Sequence, residues 1–293
     1  MNLTSQEIAS QPDTWRRALD DLDHATAVLA RPGERVLVVG CGTSAFVAES
    51  FALLREAAGL GETDAAYASE PFPWRDYDAV IAITRSGTTT EVLAALAAVP
   101  AGVRRVVVTG VADSPCAALA DDVLVLDYAD EQSVVQTRFP TTFLFLARAA
   151  LGEDVASLPA LAEAALAAPG PGVPDGFDHI VYLGHGWTYG LAQEAALKIR
   201  EAAQAWAESY PLLDYRHGPL AVAHRGTLVW MLGAADDDLA ADIAVTGAEV
   251  ISRTAVDPLI ELALAQRLAV ETAVARGLDP DRPRHLTRSI VLS

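Results

Sequence analysis

Val36-Leu-Val-Val-Gly40-Cys-Gly42-Thr-Ser44 and Ile180-Val-Tyr-Leu-Gly184-His-Gly186-Trp-Thr188 decide the fold. Each is an unbroken apolar run that ends in Gly-x-Gly and a hydroxyl side chain. Such runs, without polar alternation, mark strands buried on both faces, the habit of parallel sheets. The second copy lies close to half the chain beyond the first, as an internal duplication gives.

Working outward, residues from about Ser5 to Leu29 read as helix, with apolar spacing at Ile8, Trp15, Leu19, Leu22 and Ala25. Arg31-Pro-Gly33 ends it. Further strands follow at Ala79–Ile83, Arg105–Thr109 and Val123–Leu126, with helices from Ser44 to about Gly59, Glu91 to Ala98, and Val134 to Leu151. Pro169-Gly-Pro-Gly-Val-Pro174 breaks the chain. After the second glycine turn comes a helix carrying Lys198, then strands at Thr227–Leu232 and Glu249–Ser252 and a last helix at Pro258–Ala275. Alternating strand and helix predicts an α/β protein of two doubly wound parallel-sheet subdomains, flavodoxin-like and related by duplication. The expected division is an N-terminal helix over 1–30, a first subdomain over 31–168 and a second over 169–293.

The 293 residues are 52% hydrophobic, with a formal charge of −18 and a pI of about 4.6. Such a chain has no basic block for nucleic acid or an anionic membrane. The start, Met-Asn-Leu-Thr-Ser-Gln-Glu, is polar with no apolar run, so a signal peptide is not expected. No apolar run is long enough to span a bilayer. Cys41 and Cys116 have no metal-type spacing, so a reduced pair in a cytoplasmic protein is expected, with no metal and no cofactor. Gly40-x-Gly42-x-x-Ala45 matches a dinucleotide fingerprint only in isolation. No acidic residue closes a second strand at the right distance, so nucleotide binding is not expected.

Two stretches carry chemistry. Thr84, Ser86, Thr88 and Thr89 cluster with Gly87 where a parallel strand hands over to a helix N-terminus. Free N–H groups, the positive dipole end and hydroxyls together suit an anion, and Ser44 ends the neighbouring strand. Arg85 adds a guanidinium. One of these threonines could serve merely as an N-cap, but one cap accounts for one hydroxyl. The corresponding turn of the second half, Gly233-Ala-Ala-Asp-Asp-Asp238, would repel an anion. That half instead holds Glu194, Lys198 and Glu201 at i, i+4 and i+7 on one apolar helix face. Lys198 is the only lysine in the chain. The plain alternative is a solvated helix ion pair.

These segments resemble those of the tandem sugar-isomerase (SIS) domain family. The chain is similar to the isomerase half of glucosamine-6-phosphate synthase and to its glutaminase-free relatives, the phosphosugar isomerases, deaminases and deglycases. The matching stretches are Cys41–Ser44, Ala68–Glu70, Thr84–Thr89, Gln132–Thr137, Glu194–Glu201, Arg216-His-Gly-Pro219 and Asp281–Arg288. The resemblance implies that Ser44, Thr84, Arg85, Ser86, Gly87 and Thr89, with Val134 and Arg288, hold a sugar phosphate. It implies that Glu201 moves a proton between C1 and C2, that His217 opens the sugar ring, often across a homodimer interface, and that Lys198 and Glu194 polarise the open-chain sugar.

Where the synthase has a Schiff-base lysine in its tail this chain has Arg288, and a guanidinium forms no imine. Arg85 stands where the family commonly has glutamine. No glutaminase domain is expected ahead of the matching part. The expected activity is therefore aldose–ketose isomerisation, or deamination or deglycation of an amino-substituted sugar phosphate. A non-catalytic sugar-phosphate-binding regulator and an ammonia-dependent aminotransferase are the alternatives. A regulator would have no use for Glu201, and Arg288 disfavours aminotransfer.

Overall fold

The computed structural model describes residues 2–170, 177–233 and 235–292. The expected break at Pro169–Pro174 lies outside the described residues from 171 onward, as do Met1 and Ala234. The chain divides into two compact units. Residues 10–159 and 287–293 form a unit around five parallel strands. Residues 1–9 and 160–286 form a unit around four.

The five-stranded sheet contains β1 (Val36–Gly40), β2 (Thr63–Tyr67), β3 (Ala79–Ile83), β4 (Arg104–Thr109) and β5 (Asp122–Val125), in the order β2-β1-β3-β4-β5. All five residues of β1 and of β3 are buried, as continuous apolar runs require. Their side chains alternate between faces. Leu37, Val39, Val80, Ala82 and Val107 pack with Val92 and Leu96 of α5 (Thr90–Ala97). On α4 (Thr43–Ala57) and α6 (Arg138–Ala150), Phe51 and Phe143 meet edge to face with centroids 5.5 Å apart.

The four-stranded sheet repeats the scheme with β6 (His179–Gly184), β7 (Trp206–Pro211), β8 (Thr227–Leu232) and β9 (Glu249–Ser252), in the order β7-β6-β8-β9. Val181, Leu183, Val229 and Met231 pack with Leu239 and Ile243 of α9 (Asp237–Val245). Helix α8 (Thr188–Lys198) packs on α10 (Pro258–Ala275). The repeated strand order is the duplication seen in three dimensions. The duplicated glycines have a steric reason. A Cβ on Gly40 would stand 2.6 Å from the Ser44 carbonyl carbon, and one on Gly184 2.3 Å from the Thr188 oxygen. Gly42 and Gly186 both take positive φ, 53° and 56°, which glycine adopts without strain.

The N-terminal helix is in three pieces rather than one: α1 (Leu3–Ala9), α2 (Gln11–Ala18) and α3 (Leu22–Leu29), with a 3-10 turn at Leu19–Asp21. Pro12, in the first turn of α2, lacks the N–H that a continuous helix would need there. The pieces also part company. Helix α1 belongs to the four-stranded unit, where the Asp281 carboxylate accepts the backbone N–H of Leu3 and Thr4, each at 2.8 Å. The last residues, 287–293, belong to the five-stranded unit. The units therefore do not follow the linear division 1–30, 31–168 and 169–293. Both free thiols lie in the five-stranded unit, and burial pushes each up to about 11, so neither is a ready nucleophile. Among the described residues no helix is long and apolar enough to cross a membrane, and no group of metal-ligating side chains is assembled.

Arg55 of α4 ties the start of the five-stranded sheet together. Its fully buried guanidinium donates to the carbonyls of Leu29 (3.3 Å), Arg31 (2.6 Å), Glu34 (3.0 Å) and Leu60 (3.2 Å). Burial lowers its pKa, with Glu34 opposing that shift. Arg55→Met removes these donors from buried carbonyls. It is expected to cost roughly 3 kcal/mol, read as a lower urea midpoint with unchanged slope.

Candidate functional site

In the five-stranded unit, the carboxyl end of β3 leads into Thr84-Arg-Ser-Gly-Thr-Thr89, and Thr89 occupies the N-cap position of α5. Thr84, Arg85 and Ser86 are buried. The Ser86 hydroxyl accepts from the Thr88 N–H at 3.3 Å and from the Thr88 hydroxyl at 3.1 Å. The Thr84 hydroxyl is buried with no hydrogen-bond partner among the described residues. Gly87 takes φ 64°, and a Cβ there would collide with the Ser114 hydroxyl at 2.1 Å. Ser44 sits buried in the first turn of α4. The result is a hydroxyl-rich turn at a helix N-terminus, suited to an anion.

Arg85 directs its charge to carbonyls: it donates to Ser133 O at 3.0 Å and to Arg288 O at 2.7 Å. The Arg288 guanidinium pairs with the Asp130 carboxylate at 2.6 and 2.5 Å and donates to Glu131 O at 2.9 Å. It thus anchors the chain end, while its carbonyl rather than its side chain meets Arg85. Ser289 follows, its hydroxyl 3.1 Å from that of Ser86 and 2.8 Å from that of Thr88, which adds a further hydroxyl to the cradle. Val134 lies in a loop organised by Glu131. That buried carboxylate accepts the Thr137 N–H and hydroxyl and the Arg138 N–H, at 2.5, 2.7 and 2.9 Å. Neither Glu131 nor Ser289 is marked out by the sequence. A glutamate in a loop carries no signal of the donors that it gathers.

In the four-stranded unit the charged helix takes an unexpected form. Helix α8 ends at Lys198, and Ile199–Ala203 form a π-helical turn closed by Gln204 with φ 49°. Insertions of this kind are frequent at functional sites. The i, i+4, i+7 spacing on a regular α-helix is corrected accordingly: Glu201 stands on the π turn. The three groups still meet. Lys198 Nζ lies 3.4 Å from Glu194 Oε1 and 2.5 Å from Glu201 Oε2. Their side chains are 0% (Glu194), 1% (Lys198) and 19% (Glu201) exposed, so the triad emerges only at Glu201. A solvated surface pair would not be buried this way.

Glu201 opens onto a cavity of about 430 Å³ that Arg200, Gln204, Arg284 and His285 also line. Arg200 donates to Ala207 O at 2.9 Å. Burial lowers its pKa, and Glu201 and Glu194 oppose that shift. His217 is exposed at the end of a 3-10 turn over Leu213–His217 and is not among the residues lining this cavity. Its neighbour Arg216 is bound to Asp236 at 3.1 Å and Asp242 at 3.2 Å.

Residues 29–151 match the family model described as SIS domain. The chain is 29% identical over 349 aligned residues to a glutamine–fructose-6-phosphate aminotransferase (isomerizing) of Clostridium acetobutylicum, a match that covers 99% of this chain and 56% of the relative. This chain thus spans about half the length of the curated relatives it matches. Among solved structures it is similar to glucosamine-6-phosphate deaminase of Thermotoga maritima, with 26% identity and a TM-score of 0.83 over 99% of this chain and 100% of that one. It shares its fold with tagatose-6-phosphate ketose/aldose isomerase of Escherichia coli, at 20% identity and a TM-score of 0.81 over 100% and 96% of the two chains.

Proposed function

We propose that this SIS protein is an enzyme of the phosphosugar isomerase and aminosugar-phosphate deaminase type, acting by proton transfer between C1 and C2 of an open-chain sugar phosphate. The observation that carries this reading is the Lys198–Glu201 contact, made by a buried ammonium to the one carboxylate of its triad that reaches a cavity. A carboxylate beside an ammonium stays available as a base, and the ammonium can steady an oxyanion on the substrate. The Thr84–Thr89 turn, with Ser44, supplies hydroxyls and N–H groups for the phosphate. The similarity to a glucosamine-6-phosphate deaminase along nearly the whole of both chains supports the same assignment.

The test is incubation of the protein with ketose, aldose and amino-sugar 6-phosphates in heavy water. Deuterium is expected at C1 or C2 of at least one of them, and not on the unphosphorylated sugar at equal concentration. A protein that binds sugar phosphates without exchanging these hydrogens would be a binding protein, and the enzyme assignment would be lost. Ser86→Ala removes one donor from the phosphate cradle. Loss of a hydrogen bond to a charged group costs about 1.5–3 kcal/mol, so KM is expected to rise at least tenfold with kcat less affected. The reading includes a homodimer, in which His217 is supplied to the partner's Glu201. Sedimentation should then give twice the chain mass of 30.9 kDa. A monomer that turns over at full rate would dismiss that role for His217.

A further inference from the structure

The described residues contain two non-glycine residues with positive φ, Gln204 at 49° and His285 at 65°, and both line the Glu201 cavity. Left-handed backbone is costly for most side chains, and sites held in it tend to be functional. Gln204 ends the π turn that presents Glu201. His285 arrives from a different part of the chain, the turn after α10. That turn is fastened at Asp281, whose carboxylate takes three hydrogen bonds from the start of α1: Leu3 N–H and Thr4 N–H at 2.8 Å each and the Thr4 hydroxyl at 2.7 Å. Pro283 is buried behind it. The imidazole is thus brought to the mouth of the cavity by a strained backbone with an anchored base. Arg284 stands beside it, and Arg200 lies on the π turn.

We infer that His285 is a second proton-transfer residue of this site, acting on the sugar's oxygens while Glu201 acts on its carbons. The inference rests on the functional reading above. An imidazole can give and take a proton within one turnover, which a guanidinium cannot. In the first half-reaction the Glu201 carboxylate removes the hydrogen on the carbon beside the carbonyl. The C–H electron pair becomes the C1=C2 bond, the carbonyl π pair moves to oxygen, and that oxygen takes a proton from the His285 imidazolium. The product is a neutral enediol. In the second half-reaction the imidazole takes the proton of the other hydroxyl, and the Glu201 acid returns a proton to the neighbouring carbon. Protons and electrons balance, and both side chains end as they began. Arg200 and Arg284 favour the partial negative charge that the oxygens carry between the two steps.

His285→Asn tests the inference. Asparagine also tolerates positive φ, so the turn keeps its shape, and His285 is exposed, so the fold is not at stake. The variant is expected to lose about 100-fold in kcat with KM within a few-fold of wild type. One limb of the pH profile of kcat/KM should disappear, and added imidazole should restore part of the rate. A merely structural role would leave the pH profile unmoved and give no rescue. If the wild type exchanges C1/C2 hydrogen and His285→Asn matches it in rate and pH profile, the role of His285 is refuted while the functional reading stands. If the wild type exchanges with no sugar phosphate, the functional reading fails and takes this role with it.

Discussion

Glu201→Gln is expected to slow hydrogen exchange at C1 and C2 by about 10³-fold while leaving sugar-phosphate affinity within a few-fold of wild type. The substitution keeps the size and shape of the side chain and removes its ability to hold a proton from carbon. Lys198 remains beside Glu194, 3.4 Å away, so the buried part of the triad keeps opposite charges and the fold should persist. On the proposed reading the phosphate is held by the Thr84–Thr89 turn, which the substitution does not touch. Deuterium incorporation followed by NMR reads the chemical step directly, and fluorescence or calorimetric titration reads affinity. Unchanged exchange would dismiss Glu201 as the base. An equal loss of exchange and of affinity would make it a binding group.

Much of this is written in single residues. The apolar runs Val36–Gly40 and Ile180–Gly184, each closed by Gly-x-Gly, announce two parallel sheets, because the helix that follows packs too closely for a Cβ on Gly40 or Gly184. The hydroxyls of Thr84–Thr89 and the lone lysine likewise point to the two groups of candidate site residues. Strands β2 and β7 are silent in the sequence. They lie at sheet edges and carry Thr63, Asp64, Glu208 and Ser209, so they lack the apolar run that marks β1 and β6. The π turn is silent too, since Ile199–Ala203 satisfies α-helical periodicity and only the extra residue in the hydrogen-bond spacing distinguishes it. His285 and Arg284 lie within a recognisable tail, yet nothing in their order shows that the turn will carry them to Glu201. That placement depends on Asp281 meeting the N–H groups of Leu3 and Thr4, a contact 278 residues apart in the chain for Leu3. The direction of Arg288 is of the same kind. Its charge suits a ligand on paper, and Asp130 and Glu131 take it instead.

Lys198→Met should be the most destabilising substitution in the four-stranded unit. Lys198 is 1% and Glu194 0% exposed, so removing the ammonium leaves a fully buried carboxylate facing a thioether. Breaking a buried ion pair from one side typically costs about 3–5 kcal/mol, because the remaining charge keeps its desolvation penalty and loses its compensation. The same principle fixes the sign of a second substitution. Glu194→Gln made on top of Lys198→Met removes the stranded charge and should recover a substantial part of the loss. Glu194→Gln made alone should itself destabilise. A double-mutant cycle on urea midpoints would show coupling between the two positions, whereas additive effects would mean that the pair makes no energetic contact. Activity should not return in the double variant, since Glu201 would still lack its ammonium. Being the only lysine, Lys198 also reports on its own burial. Brief acylation of the native chain should leave its side-chain amine unmodified, and the amine should react only as fast as the unit opens. Rapid acylation under native conditions would show that the triad is open to solvent, and the argument from burial to function would lose its premise.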